Sequence, residues 1–165
     1  MEIRVERPGD AAAIGAVTEA AFRTAPHSSG TEARIVAALR EAGALTLSLV
    51  AIRDAEIVGH IAFSPVLIDG RAGGWHGLGP VSVAPELQRR GIGGALIREG
   101  LERLKAIGAK GCVLLGDPNY YHRFGFIADP DLTYAGGPPE AFQRLVLTGA
   151  PARGEVRYHA AFDGE

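Results

Sequence analysis

Apolar and polar positions along this 165-residue chain change period several times, and each change marks an element. Ile3 and Val5 alternate with charges, as in a short half-buried strand. Pro8-Gly9-Asp10 then opens a helix with Ile14, Val17, Ala21 and Phe22 at helical spacing. A polar break follows over residues 25–30. Ser29 and Glu32 have capping-box spacing ahead of the apolar stripe Ile35, Val36 and Leu39, and Gly43 ends this second helix. Residues 46–52 form an apolar run, Asp54-Ala55-Glu56 turns the chain, and residues 57–68 run back as another strand. Asp69-Gly70 is a hairpin turn, and residues 75–83 return as a third long strand. Pro80 cannot donate to a sheet ladder, so that strand is expected to bulge or lose pairing there.

Residues 91–107 predict a helix with Ile92, Leu96, Ile97, Leu101 and Leu104 on one face and Gly108 at the C-cap position. Residues 112–115 are short and wholly apolar, like a buried parallel strand. A brief helix over 118–124 ends at Gly125, and apolar stretches at 142–147 and 156–162 alternate with Gly/Pro turns. The predicted order is β-α-α-β-β-β-α-β-α-β-β, an α/β (α+β) domain over 1–165 with a mixed sheet and helices on its faces. No linker or repeat interrupts it.

Bulk properties narrow the functional classes. The chain is 47% apolar and 22% charged with a net charge of −2, which gives no reason to expect a nucleic-acid or membrane partner. Cys112 is the sole cysteine, so no internal disulfide forms and a cytoplasmic location is expected. The opening MEIRVERPGD does not read as a secretory signal, and no apolar run approaches the ~20 residues that span a bilayer.

The stretch VSVAPELQRRGIGGALI, residues 81–97, carries the chemistry. An apolar strand ends at Val83, Pro85 turns the chain, and glycines open an amphipathic helix. Gly91, Gly93 and Gly94 leave the orphan amides of a helix start open to a ligand, and the helix dipole adds positive potential there. A phosphate or diphosphate fits such a turn, with Arg89 and Arg90 adding cationic forks. Glycines at a helix start also serve as plain caps. No Lys-Ser/Thr follows, so this is not a Walker loop. The helix follows a late strand of a hairpin series, which speaks against a Rossmann turn.

Gln88-Arg89-Arg90-Gly91-Ile92-Gly93 resembles the Q/R-x-x-G-x-G/A signature of the GNAT superfamily of N-acetyltransferases. Tyr121-His122-Arg123-Phe124-Gly125-Phe126 looks like that family's Y-x-x-x-G-F. GHIAFSPV, LLGDPNYYHRFGF, EAFQRLVL and VRYHAAF extend the resemblance along nearly the whole chain, to a bacterial subgroup called YhbS-like predicted acetyltransferases. The resemblance implies a mostly antiparallel mixed sheet with helices on both faces, and acetyl-CoA as co-substrate with no metal. It implies that main-chain groups at Val81, Ser82 and Val83 pair with the pantetheine arm. Residues Gln88, Arg89, Arg90, Gly91, Ile92, Gly93, Gly94 and Ala95 would wrap the diphosphate. Tyr121 would lie near the sulfur and Asn119 would touch the pantetheine; read from the sequence, Arg123 is either a solvated side chain or a contact for a cofactor phosphate. Asn119 is the weakest of these, because the family's usual asparagine position holds Leu114 here.

The implied reaction is attack by a neutral amine on a thioester carbonyl. It needs an oxyanion site, which amides around residues 81–83 can supply, and an acid for the departing thiolate, for which Tyr121 is the candidate. The strand leading to the phosphate turn, WHGLGPVSV, has no carboxylate. The base candidates are therefore His27, Glu32, His60, His76 and Asp117, beside a water chain. Each has a plainer reading. His60 and His76 suit half-buried strand positions, His27 a polar loop, Glu32 a helix cap and Asp117 the start of the short helix. The acceptor is a small-molecule amine or a protein amino group, and a homodimer through a sheet edge stays open. Two rivals remain, a non-catalytic acyl-CoA-sensing module and a different nucleotide-phosphate binder.

Overall fold

The computed structural model describes residues 1–25, 28 and 30–163. His27 and Ser29 lie outside the described residues. The chain opens with strand β1 (Glu2–Val5) and helices α1 (Ala11–Phe22) and α2 (Glu32–Glu41). Three antiparallel strands follow: β2 (Leu47–Arg53), β3 (Glu56–Ile68) and β4 (Arg71–Val83). Next come helix α3 (Ile92–Ala106), strand β5 (Gly111–Leu115) and the single-turn helix α4 (Pro118–Tyr121). Strands β6 (Leu132–Thr133), β7 (Phe142–Val146) and β8 (Gly154–Arg157) complete the chain.

The main sheet runs β1-β2-β3-β4-β5-β7, with β8 pairing against β3 and β6. The β4–β5 pair is parallel, while β5 and β7 are antiparallel. Alternation along β2 shows how both faces are covered. Leu49 and Ala51 join the core under α3, and Val50 packs with Ile14 of α1 and Val36 of α2.

Three expectations need correction. The last strand stops at Arg157, and Ala160–Asp163 is a 3-10 turn rather than strand. There Phe162 packs on Tyr158, which packs on Tyr134, so an aromatic stack takes over from the ladder. The helix at 118–124 is α-helical only to Tyr121, and His122–Phe124 tightens to 3-10 before Gly125. The two-residue strand β6 has no periodic signal of its own. The N-cap of α2 is Thr31.

The expected disturbance at Pro80 is a bulge. Leu78 pairs with Phe63 and Val81 with Ile61, so β4 spends three steps where β3 spends two. One extra residue reverses which face each later side chain meets. Val81 and Val83 consequently pack toward α3, while Ser82 turns to the α1 side and contacts Thr18.

Helix α3 lies close on the sheet because Gly100 has no side chain. A Cβ there would sit 2.3 Å from the ring of Phe63, which is fully buried. Gly100→Ala is therefore expected to destabilise the protein. It would do so despite the ~1 kcal/mol that alanine gains over glycine in a helix, because overpacking costs roughly 1–3 kcal/mol. Urea unfolding reads the sign, and a stabilised variant would show that α3 shifts freely.

Candidate active site

Strands β4 and β5 part company. They pair at Trp75–Gly111, His76–Cys112 and Gly77–Val113, yet β4 continues to Val83 and β5 to Leu115. Beyond Gly77 one edge of β4 has no strand beside it among the described residues. The direction of its main-chain groups follows from the ladder. The Ala84 amide donates to the Val58 carbonyl at 2.8 Å, so that opposed pair is hydrogen-bonded. Opposed pairs alternate in an antiparallel ladder, so Ser82 bonds to His60, whereas Val81 and Val83 turn their amides and carbonyls away from β3. Those groups face the notch left by β5. The Gln88 side chain donates to the Val83 carbonyl at 3.1 Å.

At the end of this edge the chain tightens through a 3-10 turn, Pro85–Leu87, and enters α3. Arg89 has φ 64 and Gly91 has φ 88, both left-handed. Left-handed residues next to a helix start fold successive amides toward one concavity, which suits an anion. Glycine takes that backbone freely at 91, and Arg89 holds it at some cost. The turn lines a cavity of about 410 Å³ with Val83, Gln88, Arg89, Gly91, Ile92, Gly93 and Gly94. Arg98 of α3, Tyr120 of α4, and Arg123 and Phe124 of the 3-10 turn after it close the cavity.

Of the residues expected to bind a cofactor, most therefore converge. Ala95 spends its amide on the Gly91 carbonyl inside the helix. Arg90 is exposed on the same turn and is absent from the cavity wall. Asn119 is exposed, and its amide donates to Asp117, the N-cap of α4. Tyr121 sits across the notch beside the end of β5. A Cβ on Gly116 would meet its ring at 2.6 Å, and Phe126 and Tyr120 flank it. Burial, with Tyr120 adding to it, pushes the Tyr121 phenol up to about 12.

The base candidates among the described residues do not gather in one place. Asp117 caps α4. His76 lies on β4 opposite Cys112, and its burial lowers its pKa. Glu32 accepts from the Ser28 hydroxyl at 2.9 Å and lines a second cavity of about 490 Å³ with Thr18, Glu19, Phe22 and Arg23. Thr18 donates to the Ile14 carbonyl and accepts from Ser82, so this cavity reaches β4 from the α1 face.

His60 is fully buried rather than half-buried. Arg40 pairs with Glu6, the Ser48 hydroxyl donates to Glu6 at 2.5 Å, and Ser48 meets His60 Nε2 at 2.8 Å. With the hydroxyl proton committed to the carboxylate, Ser48 accepts, so Nε2 carries the proton and Nδ1 is bare. Among the described residues Nδ1 has no partner. Burial opposes the Glu6 charge, but hydrogen bonds from Arg40 and Ser48 hold Glu6 below the usual carboxylate range.

Sequence reasoning missed Arg98, Tyr120, Phe124 and Thr18. Arg98 carried a signal. It stands one helical turn beyond Gly94, on the face of the cap glycines. Tyr120 precedes Tyr121 and Phe124 follows it by three residues, without any mark of their own.

The family described as acetyltransferase (GNAT) domain matches residues 45–128. The Escherichia coli (strain K12) protein named uncharacterized N-acetyltransferase YhbS is 41% identical over 172 aligned residues, spanning 99% of this chain and 99% of that protein. The solved structure of a GNAT family acetyltransferase from Brucella melitensis in complex with acetyl-CoA is similar with a TM-score of 0.89 and 57% identity. That likeness covers 98% of this chain and 97% of the other. The structure of YhbS from Escherichia coli in complex with CoA gives a TM-score of 0.90 at 38% identity, over 98% and 91% of the two chains.

The buried histidine has a readable consequence. Burial first, then the Arg40 charge, lowers His60 from 6.5 to about 4, with Glu6 opposing. Between those values the unfolded chain binds the proton and the folded chain does not, so stability falls as pH drops through this window. A slope of up to ~1.4 kcal/mol per pH unit is expected from this group. Denaturant titrations from pH 7 to 4.5 measure it, and His60→Gln should flatten the slope whatever its effect on absolute stability. A flat wild-type curve would mean that folded His60 is already charged.

Proposed function

The chain belongs to the GNAT acetyltransferase family and is an N-acetyltransferase, and from that premise we propose that it transfers the acetyl group of acetyl-CoA to a primary amine by direct attack in a ternary complex. The observation that carries this reading is one cavity in which the left-handed turn at Arg89–Gly91 meets the unpaired edge of β4 at Val83. The glycine turn fits a diphosphate, and the open edge fits an extended amide-bearing arm that adds to β4 as a strand would. The donor supplies the activated thioester carbonyl.

In this proposal the residues divide the work as follows. Amides of the turn at 89–94, with the Arg89 side chain, hold the diphosphate, while the Gln88 amide is spent on the Pro85 carbonyl. Val81 offers main-chain groups and Val83 its amide to the pantetheine arm, with Gln88 moving off the Val83 carbonyl or sharing it, and the Val81 amide lies on the edge where an oxyanion would form. Tyr121 stays protonated across neutral pH, because burial pushes its phenol up to about 12. A thiol near ~8.5 is the stronger acid, so full transfer from Tyr121 to the leaving sulfur is uphill. Tyr121 therefore acts as a hydrogen-bond donor that stabilises the thiolate while solvent completes protonation.

The acceptor enters from the α1/α2 face, through the cavity that Thr18 joins to β4. Glu32 is the base candidate favoured by this arrangement, because it lines that cavity and Ser28 orients it. Either a small-molecule amine or a protein amino group suits an approach from that side.

Calorimetry with acetyl-CoA, followed by thiol release against an amine panel, tests the whole reading. Binding without turnover on any amine would favour the sensing module instead. At Gly93 an added Cβ meets only Val83, at an ordinary 3.7 Å, so the fold tolerates a side chain there. Gly93→Glu is expected to keep the thermal midpoint and lose acetyl-CoA binding, and retained affinity would remove the turn from the site. Tyr121→Phe should lower kcat roughly ten- to a hundredfold, with little change in KM for acetyl-CoA. An unchanged kcat would reduce Tyr121 to packing.

A further inference from the structure

The phosphate cavity holds more positive charge than a diphosphate requires. Three arginines line it, Arg89, Arg98 and Arg123, and among the described residues no Asp or Glu does. Arg89 belongs to the turn itself. Arg98 and Arg123 come from elsewhere, one from the second turn of α3 and one from the 3-10 turn after α4. Neither forms an ion pair among the described residues, and the neighbouring Glu99 is taken by Arg103 at 2.8 Å.

The two side chains are held by aromatic faces instead of counter-charges. The Arg98 guanidinium lies 5.0 Å from the centre of the Phe124 ring, and that of Arg123 lies 4.4 Å from the centre of Tyr120. Those rings are themselves in edge contact at 5.5 Å. Arg123 also donates through Nε to the Tyr120 carbonyl at 2.8 Å, while its terminal nitrogens have no protein partner among the described residues. Arg98 folds back toward the glycine turn. Its Nη1 lies 3.2 Å from the point where a Gly94 side chain would begin, and the Tyr120 hydroxyl lies 3.9 Å from that point. Stacking fixes a guanidinium plane and leaves its edge donors free, the arrangement a phosphate oxygen needs.

We propose that Arg98 and Arg123 form a second anion subsite in this cavity, which takes a phosphomonoester carried on the nucleotide end of the donor. Coenzyme A bears such a group on its ribose in addition to the diphosphate. A phosphomonoester adds close to two negative charges at neutral pH, which matches two arginines without carboxylate partners. The inference rests on the acetyl-CoA reading and extends it. The subsite distinguishes the phosphorylated coenzyme from its 3′-dephospho form and leaves the reacting end untouched.

The test compares acetyl-CoA with acetyl-3′-dephospho-CoA by calorimetry, on wild type and on Arg98→Gln, Arg123→Gln and the double variant. Both arginines are exposed, so the folded state should survive each change, and circular dichroism verifies it. Wild type is expected to bind the dephospho donor roughly tenfold more weakly, with a gap that narrows as salt is raised. Each single variant should shrink the gap, and the double variant should close it by losing affinity for acetyl-CoA alone. Equal binding of the two donors by wild type would overturn the subsite while leaving acetyl transfer intact. A gap that persists in the double variant would also overturn it. Failure of both donors to bind would instead remove the acetyl-CoA reading beneath it.

Discussion

A strand edge without a partner governs this molecule. Main-chain amides and carbonyls must find hydrogen bonds, and a sheet normally supplies them from the neighbouring strand. Here β5 accompanies β4 only as far as Gly77, and Val81 and Val83 then present their groups to an open notch. The bulge at Gly79-Pro80 sets which residues do so. Without the extra residue the parity would reverse, and Ser82 would face the notch. On the proposed reading, this open edge takes an extended ligand, and the glycine turn at its end anchors it.

The rest of the fold keeps this edge and this turn in register. Helix α3 must begin at a fixed point relative to Val83, and it is pressed onto the sheet through Gly100 against Phe63. Its apolar face, Ile92, Leu96, Ile97, Leu101 and Leu104, is buried in the main core. On the opposite face, Arg40, Glu6, Ser48 and His60 tie α2, the segment after β1, β2 and β3 together. That chain of charge and hydrogen bonds stiffens the layer from which Thr18 reaches Ser82. Each face of the sheet is therefore braced by its own means, one by close packing and the other by a polar relay.

Much of the architecture was legible because its signals are local. The strands and helices announced themselves by period, Pro80 by its missing donor, and the turn by QRRGIGG. The parting of β4 and β5 was not legible, because it is a matter of register between residues 75–77 and 111–113. No local pattern encodes where a parallel pairing stops. The relay from Arg40 to His60 also escaped notice, since Glu6 and Arg40 lie 34 residues apart. His60 looked like any histidine in an alternating strand, and only the assembled sheet shows it sealed. Residues 156–162 misled for another reason. Their apolar alternation continues through Tyr158 to Phe162, but the aromatic rings stack on one another there instead of extending a ladder.

One consequence follows from the way Ser82 and its neighbours alternate across β4. Ser82 looks toward α1, and Val81 and Val83 look toward α3, so a single strand divides two chambers. Among the described residues, none from α1 or α2 lines the cavity at the glycine turn. On the proposed division of labour, the wall of α1 and α2 can thus be rebuilt to suit a new acceptor while the opposite chamber keeps its donor. A fold so partitioned can diversify in what it modifies without relearning how it is fuelled.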